Sequence, residues 1–154
     1  MLIRPASIAD LSQVLTLCRH LDLPGEAALT TAQACERFKA LVAQERHQIY
    51  VAELHGQVVG TFALAFVGGL AHSARDSCIV EDVVVAPQHR SCGIGAQMMR
   101  FAMLECARRH CYKLVLSSHL EREPAHRFYE GLGFHKHGFS FLITPQVQDG
   151  IGQQ

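Results

Sequence analysis

The pattern of apolar and polar residues predicts elements in the order β-α-α-β-β-β-α-β-α-β. Short runs rich in β-branched and apolar residues predict strands at 1–4, 48–54, 57–66, 79–85 and 111–117, and a final strand or hairpin, broken at Gly138, at 134–143. Apolar residues at helical spacing predict helices over 8–23, 31–44, 94–110 and 124–131. Ser7 and Asp10 form a helix-start pattern, and His55-Gly56 predicts a tight hairpin turn. This order predicts one α/β domain with a mixed sheet over 1–145, followed by a flexible tail over 146–154.

Composition narrows the class of protein. The 154 residues are 49% apolar and 18% charged, so the chain can bury a core without disulfides. Lysines and arginines balance the acids at 14 each, so no basic excess points to nucleic acid or to a membrane surface. The start of the chain lacks a signal-peptide pattern, and no apolar run is long enough to span a membrane. We therefore expect a cytoplasmic protein.

The chain has six cysteines and ten histidines, but their spacing does not predict a metal site. No C-x-x-C occurs, and no cysteine pair lies at zinc spacing with a matching histidine pair. Most of the cysteines lie inside apolar runs, as reduced core residues do. Cys92 differs because it lies in a loop before a helix, where a thiolate is favoured.

The stretch from Ile79 to Ala96 reads I-V-E-D-V-V-V-A-P-Q-H-R-S-C-G-I-G-A. Its first half predicts a buried strand, which Pro87 ends because proline has no N–H for the sheet. Its second half predicts a short glycine loop that opens a helix. The N–H groups of such a loop favour an anion, and Gly93 and Gly95 let a bulky pyrophosphate approach the main chain. The loop matches neither a Walker A motif nor a dinucleotide fingerprint.

Two motifs in this chain resemble those of the GCN5-related N-acetyltransferases (GNAT). The first is the R-x-x-G-x-G pattern that starts at Arg90, and the second is the A-x-x-F-Y-x-x-x-G-F pattern over Ala125–Phe134. The opening I-R-P-A-S-I-A-D-L is also similar to the family's first strand and helix. The resemblance covers nearly the whole chain and implies the GNAT fold, a central mixed, splayed β-sheet flanked by helices.

The resemblance implies acetyl-CoA as co-substrate, lying between the strands at 79–85 and 113–117. Its pyrophosphate would contact the loop amides, its pantetheine arm would pair with Val83 and Val85, and its sulfur would face Tyr129. The expected coenzyme-binding residues are Val83, Val84, Val85, Arg90, Ser91, Cys92, Gly93, Ile94, Gly95, Ala96 and Arg122. Arg122 stands where many members of the family carry asparagine, so the usual contact of that asparagine is in doubt.

Acetyl transfer to an amine needs a base, because a free alkylamine has a pKa of roughly 10.4. Glu81 and Asp82 are the candidate catalytic bases. Alternation along a strand would turn only one of them to the cleft, unless a bulge changes the count, and the sequence does not choose between them. Tyr129 is the candidate acid that protonates the departing thiolate.

Two subfamilies compete as the nearest resemblance. I-V-E-D-V-V-V and C-Y-K-L-V-L are similar to glucosamine 6-phosphate N-acetyltransferases, whereas L-S-S-H-L-E-R-E-P-A-H-R-F-Y and H-G-F-S-F are similar to aminoalkylphosphonate N-acetyltransferases. Both imply a small primary amine that bears a phosphate-like group, for which a cation is needed. Candidate cations are Arg75, His119, Arg122, Arg127 and Lys136.

Two other functions stay open: a protein or peptide N-acetyltransferase, and a non-catalytic acyl-CoA-binding sensor. The apolar run F-S-F-L-I over 139–143 is also a candidate interface for a homodimer. No nucleic-acid or membrane partner and no metal is expected.

Overall fold

The structure is a computed structural model that describes residues 1–21 and 29–143. The chain forms two compact units, one over Met1–Ser118 and one over His119–Gln154. The strands of the first unit are β1 (Leu2–Pro5), β2 (His47–Leu54), β3 (Gln57–Val67), β4 (Ser77–Val85) and β5 (Lys113–Leu116). Its helices are α1 (Leu11–Cys18), α2 (Thr31–Val42) and α3 (Ile94–Arg108), and the second unit contains α4 (Glu123–Gly131).

The five strands form one sheet in the order β1-β2-β3-β4-β5. Neighbours are antiparallel except β4 and β5, which run parallel because α3 carries the chain back between them. His55 and Gly56 join β2 to β3 and have φ angles of 51° and 79°, as a tight hairpin turn requires. The predicted mixed α/β sheet and its hairpin are confirmed.

Helices cover both faces of the sheet. On one face, Val14 and Leu17 of α1 pack with Val51 and Val84. Tyr50 points to the opposite face, because neighbouring residues of a strand alternate, and its ring lies 5.0 Å from that of Phe101 in α3. The α3 face also holds three fully buried side chains, Met98, Met99 and Ala102.

Gly60 in β3 explains how closely α3 approaches the sheet. A Cβ atom built on Gly60 would lie 2.8 Å from Sδ of Met98 and 3.1 Å from the carbonyl oxygen of Val84. Real Cβ atoms do not come within 3.0 Å of a non-bonded atom, so a larger residue would force the Met98 side chain to move. Glycine therefore lets Met98 of α3 pack closely on β3.

An ion-pair network joins the start of the chain to the sheet. Arg4 donates to both carboxylate oxygens of Asp10, at 2.7 and 2.8 Å, and to Glu53 at 2.8 Å. Asp10 is only 5% exposed and also accepts the N–H of Ser7 at 2.7 Å, as the helix-start pattern predicts. The Arg4 guanidinium holds the pKa of this carboxyl well below its usual range. Asp10 is therefore a buried charge that is fully paired.

Three predictions about elements need correction. The strand or hairpin predicted at 134–143 does not form, since in the described part of the chain this stretch pairs with no other strand, and Phe139, Phe141, Leu142 and Ile143 are 86–93% exposed. The strand predicted at 1–4 extends by one residue to Pro5, which an edge strand allows. The apolar spacing over 31–44 also predicts that Val42 faces the core, but Val42 is 41% exposed. The domain bounds of 1–145 stay a prediction, and the predicted tail at 146–154 lies outside the described residues.

Candidate active site

The two halves of β4 differ in their neighbours. Ser77–Val80 pairs with β3 on one side and with β5 on the other, and the last pair with β5 is Val80 with Leu116. Glu81–Val85 continues alongside β3, but within the described residues no strand pairs with its other edge. We call Glu81–Val85 the open half of β4. The free edge of this half corresponds to the splayed sheet that the family resemblance implies.

A β-bulge lies in the open half. Glu81 is opposite Ala63 and Val84 is opposite Thr61, so Asp82 and Val83 together face the single residue between them on β3. Asp82 has a φ of 53°, in the left-handed region. Because of this extra residue, simple alternation no longer applies, and both Glu81 and Asp82 are exposed. The bulge that the sequence could not exclude is therefore present.

Glu81 lies on the sheet face that α1 and α2 cover. It is paired with Ala63, which is paired with Ile49, and Ile49 packs against the cluster that includes Phe38 of α2. Directly opposed residues share a face of the sheet. An acceptor that reaches this carboxylate would therefore approach on the side of these helices.

The carboxyl group of Glu81 has a raised pKa. Surrounding protein atoms remove part of the water from the carboxylate, and the neighbouring charge of Asp82 adds a smaller effect in the same direction. The Cys18 thiol also has a raised pKa, mainly because of burial, and the charge of Asp82 adds to that shift. A carboxylate with a raised pKa binds a proton more readily, so Glu81 is suited to act as the base that the reaction needs.

The glycine loop follows the open half directly. After a turn of 3-10 helix at Pro87–His89, Gly93 takes a φ of 78° and caps α3. The first intrahelical bond runs from the N–H of Gln97 to the carbonyl of Gly93 at 3.1 Å. By helix geometry the N–H groups of 94–96 then have no acceptor within α3. A Cβ atom built on Gly93 has no other atom within 4 Å, so the space in front of this helix end is open.

The other predicted coenzyme-binding residues of the first unit lie around this loop. Arg90 donates from Nε to the carbonyl of Val85 at 3.1 Å, and Cys92 is exposed with its Sγ 3.4 Å from the carbonyl of Arg90. Ser91 has a φ of 60°. The side chain of Val84 is buried in the core, so only its main chain can contact a ligand. Val83, Ile94, Gly95 and Ala96 lie in β4 or the first turn of α3.

In the second unit, the A-x-x-F-Y-x-x-x-G-F motif forms the end of α4. The N–H of Phe134 donates to the carbonyl of Tyr129 at 3.1 Å, and that of Gly133 donates to Glu130 at 3.0 Å. With Gly133 at a φ of 93°, this is a Schellman motif, in which Phe134 folds back onto the helix. The rings of Phe134 and Phe128 lie 5.7 and 5.1 Å from that of Tyr129. The motif therefore fixes the orientation of the tyrosine.

The phenol of Tyr129 has a raised pKa because of burial, and the charge of Arg122 opposes that shift. Arg122 lies at the N-cap of α4 and is exposed. A phenol with a raised pKa stays protonated near neutral pH and can donate its proton.

Most of the candidate cations are already near a carboxylate. Arg127 lies 3.4 Å from Glu123, Lys136 lies 3.3 Å from Glu130, and His119 lies 3.9 Å from Glu121. In the part of the chain that the structure describes, no ion pair involves Arg75 or Arg122. These two arginines are therefore the stronger candidates for an anionic substrate group.

Residues 1–21 and 29–143 hold no cluster of three or more metal-ligating side chains suited to a metal ion. Over the same ranges, no helix has the length and apolar character needed to cross a membrane.

Comparisons with known proteins agree with the two motifs. The acetyltransferase (GNAT) domain family matches residues 45–136. A glucosamine 6-phosphate N-acetyltransferase from Trypanosoma brucei brucei is 30% identical over 132 residues, which are 84% of this chain and 85% of the relative. The structure of a candidate acetyltransferase from Agrobacterium tumefaciens str. C58 has a TM-score of 0.88 and 32% identity, covering 94% of this chain and 100% of the other.

A glucosamine-6-phosphate N-acetyltransferase from Arabidopsis thaliana has a TM-score of 0.78 over 96% of this chain and 98% of its own. Its identity is 24%, so this likeness concerns the fold. The predicted fold and the resemblance to glucosamine 6-phosphate N-acetyltransferases are confirmed. The roles of the individual site residues stay predictions. The chain belongs to the GNAT acetyltransferase family and is an N-acetyltransferase.

Proposed function

We propose that this enzyme transfers an acetyl group from acetyl-CoA to the primary amine of a small molecule that bears a phosphate or phosphonate group. The observation that carries the proposal is the exposed pair Glu81 and Asp82 at the bulge in the open half of β4. Acids beside free main-chain groups suit the reaction, because the amine must lose a proton and the thioester carbonyl must be polarised.

The end of α3 fits the diphosphate of coenzyme A. The N–H groups of Ile94, Gly95 and Ala96 have no acceptor within the helix, the first turn carries no acid, and the space at Gly93 is open. When bound, the coenzyme supplies an activated acyl group. The main chain of Val83 and Val85 would hold its pantetheine arm as a further strand would be held, since the free edge of β4 presents N–H and C=O groups.

Glu81 is our candidate for the base that takes the proton from the amine, because its raised pKa suits proton uptake. Asp82 then forms the bulge and supplies the neighbouring charge that raises this pKa. Tyr129 donates its proton to the departing sulfur, since its phenol, whose pKa burial raises, is protonated near neutral pH. Asp82 remains the alternative base, since the sequence does not choose between the two acids.

The phosphate-bearing acceptor is supported by the relative from Trypanosoma brucei brucei, whose substrate is glucosamine 6-phosphate. Arg122 and Arg75 are the proposed partners of the anionic group. Arg122 is also the predicted coenzyme contact, so its substitution should separate the two roles: a raised KM for the amine alone assigns it to the acceptor. A homodimer and a cytoplasmic location stay predictions from the sequence.

The deciding experiment measures CoA release from acetyl-CoA across a panel of amines. The panel contains glucosamine 6-phosphate, glucosamine, aminomethyl- and aminoethylphosphonate, polyamines, aminoglycosides, amino acids and lysine peptides. We expect glucosamine 6-phosphate or a phosphonate to exceed its uncharged counterpart in kcat/KM. Glucosamine is the matched control, since it differs only in the phosphate.

Three other results would change the proposal. Equal rates with glucosamine and its 6-phosphate would mean that the enzyme does not recognise an anionic group on the acceptor. Preference for a peptide would indicate a protein N-acetyltransferase. Tight acetyl-CoA binding without CoA release on any amine would favour a sensor.

A further inference from the structure

The end of α3 carries an unusual pair of cysteines. The N–H of Cys111 donates to the carbonyl of Cys106 at 3.0 Å, and that of His110 donates to Ala107 at 3.0 Å. His110 has a φ of 54°. These features define a Schellman motif like that of α4, with His110 where α4 has glycine. In this motif the side chains at the two outer positions contact each other, and here both are thiols.

The main-chain bond limits how far apart the two cysteines can be. Standard covalent geometry on either side of a 3.0 Å N···O contact keeps the Cα atoms of Cys106 and Cys111 within about 7 Å. Most protein disulfides have Cα separations of about 4.4–6.8 Å. Since both side chains point to the same side of the helix end, a disulfide can form here with little movement of the main chain.

The two thiols differ in access. Cys111 is half-buried, whereas Cys106 is 6% exposed and its Sγ lies 3.5 Å from the carbonyl of Lys113. Burial raises the pKa of the Cys106 thiol to about 11, and the neighbouring Cys111 adds to that shift. A buried, protonated thiol is a poor first target for an oxidant. Oxidation therefore starts at Cys111, and Cys106 is the adjacent thiol that completes it.

We propose that Cys106 and Cys111 form an oxidative modification site, at which a peroxide converts the two thiols into a disulfide across the end of α3. The sulfur of Cys111 attacks hydrogen peroxide, the O–O bond breaks, and a sulfenic acid and one water form. The sulfur of Cys106 then attacks that of Cys111, the S–O bond breaks, and a second water leaves. Two thiols lose two electrons and two protons to one peroxide.

The bond would also change the contact between α3 and β5. The thiol hydrogen that Cys106 gives to the carbonyl of Lys113, the first residue of β5, is lost on oxidation. A disulfide at the end of α3 replaces this hydrogen bond.

Peptide mapping of the folded, full-length protein tests this directly. Reduced protein is treated with hydrogen peroxide, quenched with catalase, alkylated with iodoacetamide and digested with trypsin. Each of the six cysteines falls in a different tryptic peptide. Cys106 lies in F-A-M-L-E-C-A-R and Cys111 in H-C-Y-K, so the disulfide joins two short peptides. We expect this joined pair, lighter by two hydrogen atoms than its reduced parts.

Cysteine-to-serine variants test whether this pair, and not another thiol, forms the disulfide. Cys111→Ser should abolish the joined peptides, and Cys106→Ser should leave Cys111 as a sulfenic acid that dimedone labels. Cys35→Ser, which removes a thiol of α2, should leave the joined pair in place. Full alkylation of both cysteines while Cys92 is oxidised would overturn the proposal. A link from Cys106 to Cys78 would overturn it as well.

Discussion

The two halves of β4 have the same neighbour on one side and different surroundings on the other. In the half that also pairs with β5, Cys78 and Val80 are 0% and 2% exposed and the strand alternates regularly. In the open half, a bulge interrupts the alternation and two acids are exposed. Exposed acids suited to chemistry therefore occur in β4 only beyond the point where its second neighbour ends, although Val84 of the open half still packs in the core.

The largest expected effect belongs to the open half. Glu81→Gln should lower kcat/KM roughly 100- to 10,000-fold, because a base that no longer accepts a proton loses its whole contribution. The free energy of unfolding should change little, since this side chain is exposed. CoA release and urea denaturation measure the two quantities.

The pH profile provides the control for Glu81. In the wild type the rate should fall as the pH drops through the raised pKa of Glu81, because protonation removes the base. That limb should be absent from Glu81→Gln. If the limb persists and moves only in Asp82→Asn, the base is Asp82.

Tyr129 is the predicted acid of the reaction. Tyr129→Phe should lower kcat roughly ten- to a thousand-fold, toward the lower end of what a general acid contributes. The packing of the ring against Phe128 and Phe134 is kept. Affinity for acetyl-CoA by calorimetry should stay nearly the same. An unchanged turnover would rule out Tyr129 as the acid.

Gly93 lies in the loop that follows the open half of β4. Gly93→Val should abolish measurable acetyl-CoA binding, because the valine side chain would fill the open space in front of α3 that the pyrophosphate needs. Gly69→Val is the matched control, since Gly69 also has open space but an ordinary φ. Equal affinities by calorimetry would mean that the loop is only a turn.

Val80 tests the half that pairs on both sides. Val80→Ala should lower the free energy of unfolding by about 2–3 kcal/mol, from lost apolar burial and the cavity that remains. The kcat of the folded enzyme should change little. A fall in kcat comparable to that of Glu81→Gln would show that the division between the two halves is not real.

The sequence predicts the strand β4, the glycine loop and α4 well, since each rests on a local signal. Valine-rich runs, Gly93 before a helix and Gly133 after one each fix a backbone conformation by their own chemistry. The bulge had no such signal, because Asp82 takes its positive φ without glycine. The left-handed His110 at the end of α3 was missed for the same reason.

The strand predicted at 134–143 failed for a different physical reason. Its apolar pattern suits a strand, but a strand exists only when another strand accepts its main-chain hydrogen bonds. A sequence pattern shows which side chains alternate, but it does not show whether a partner strand is present. The same limit applies to the open half of β4, whose missing neighbour could be expected only from the family resemblance.

The smallest predicted effect is the difference in stability between the Gly and Ala variants at the bulge. Its sign reverses between the adjacent residues Asp82 and Glu81. At Asp82, the Gly variant should be more stable than the Ala variant by about 1–2 kcal/mol, because only glycine takes a φ near 53° without strain. At Glu81, an ordinary strand position, the Ala variant should be more stable by about 0.5–1 kcal/mol. Urea denaturation of the four variants measures both differences. The same sign at both positions would mean that the bulge does not lie at Asp82.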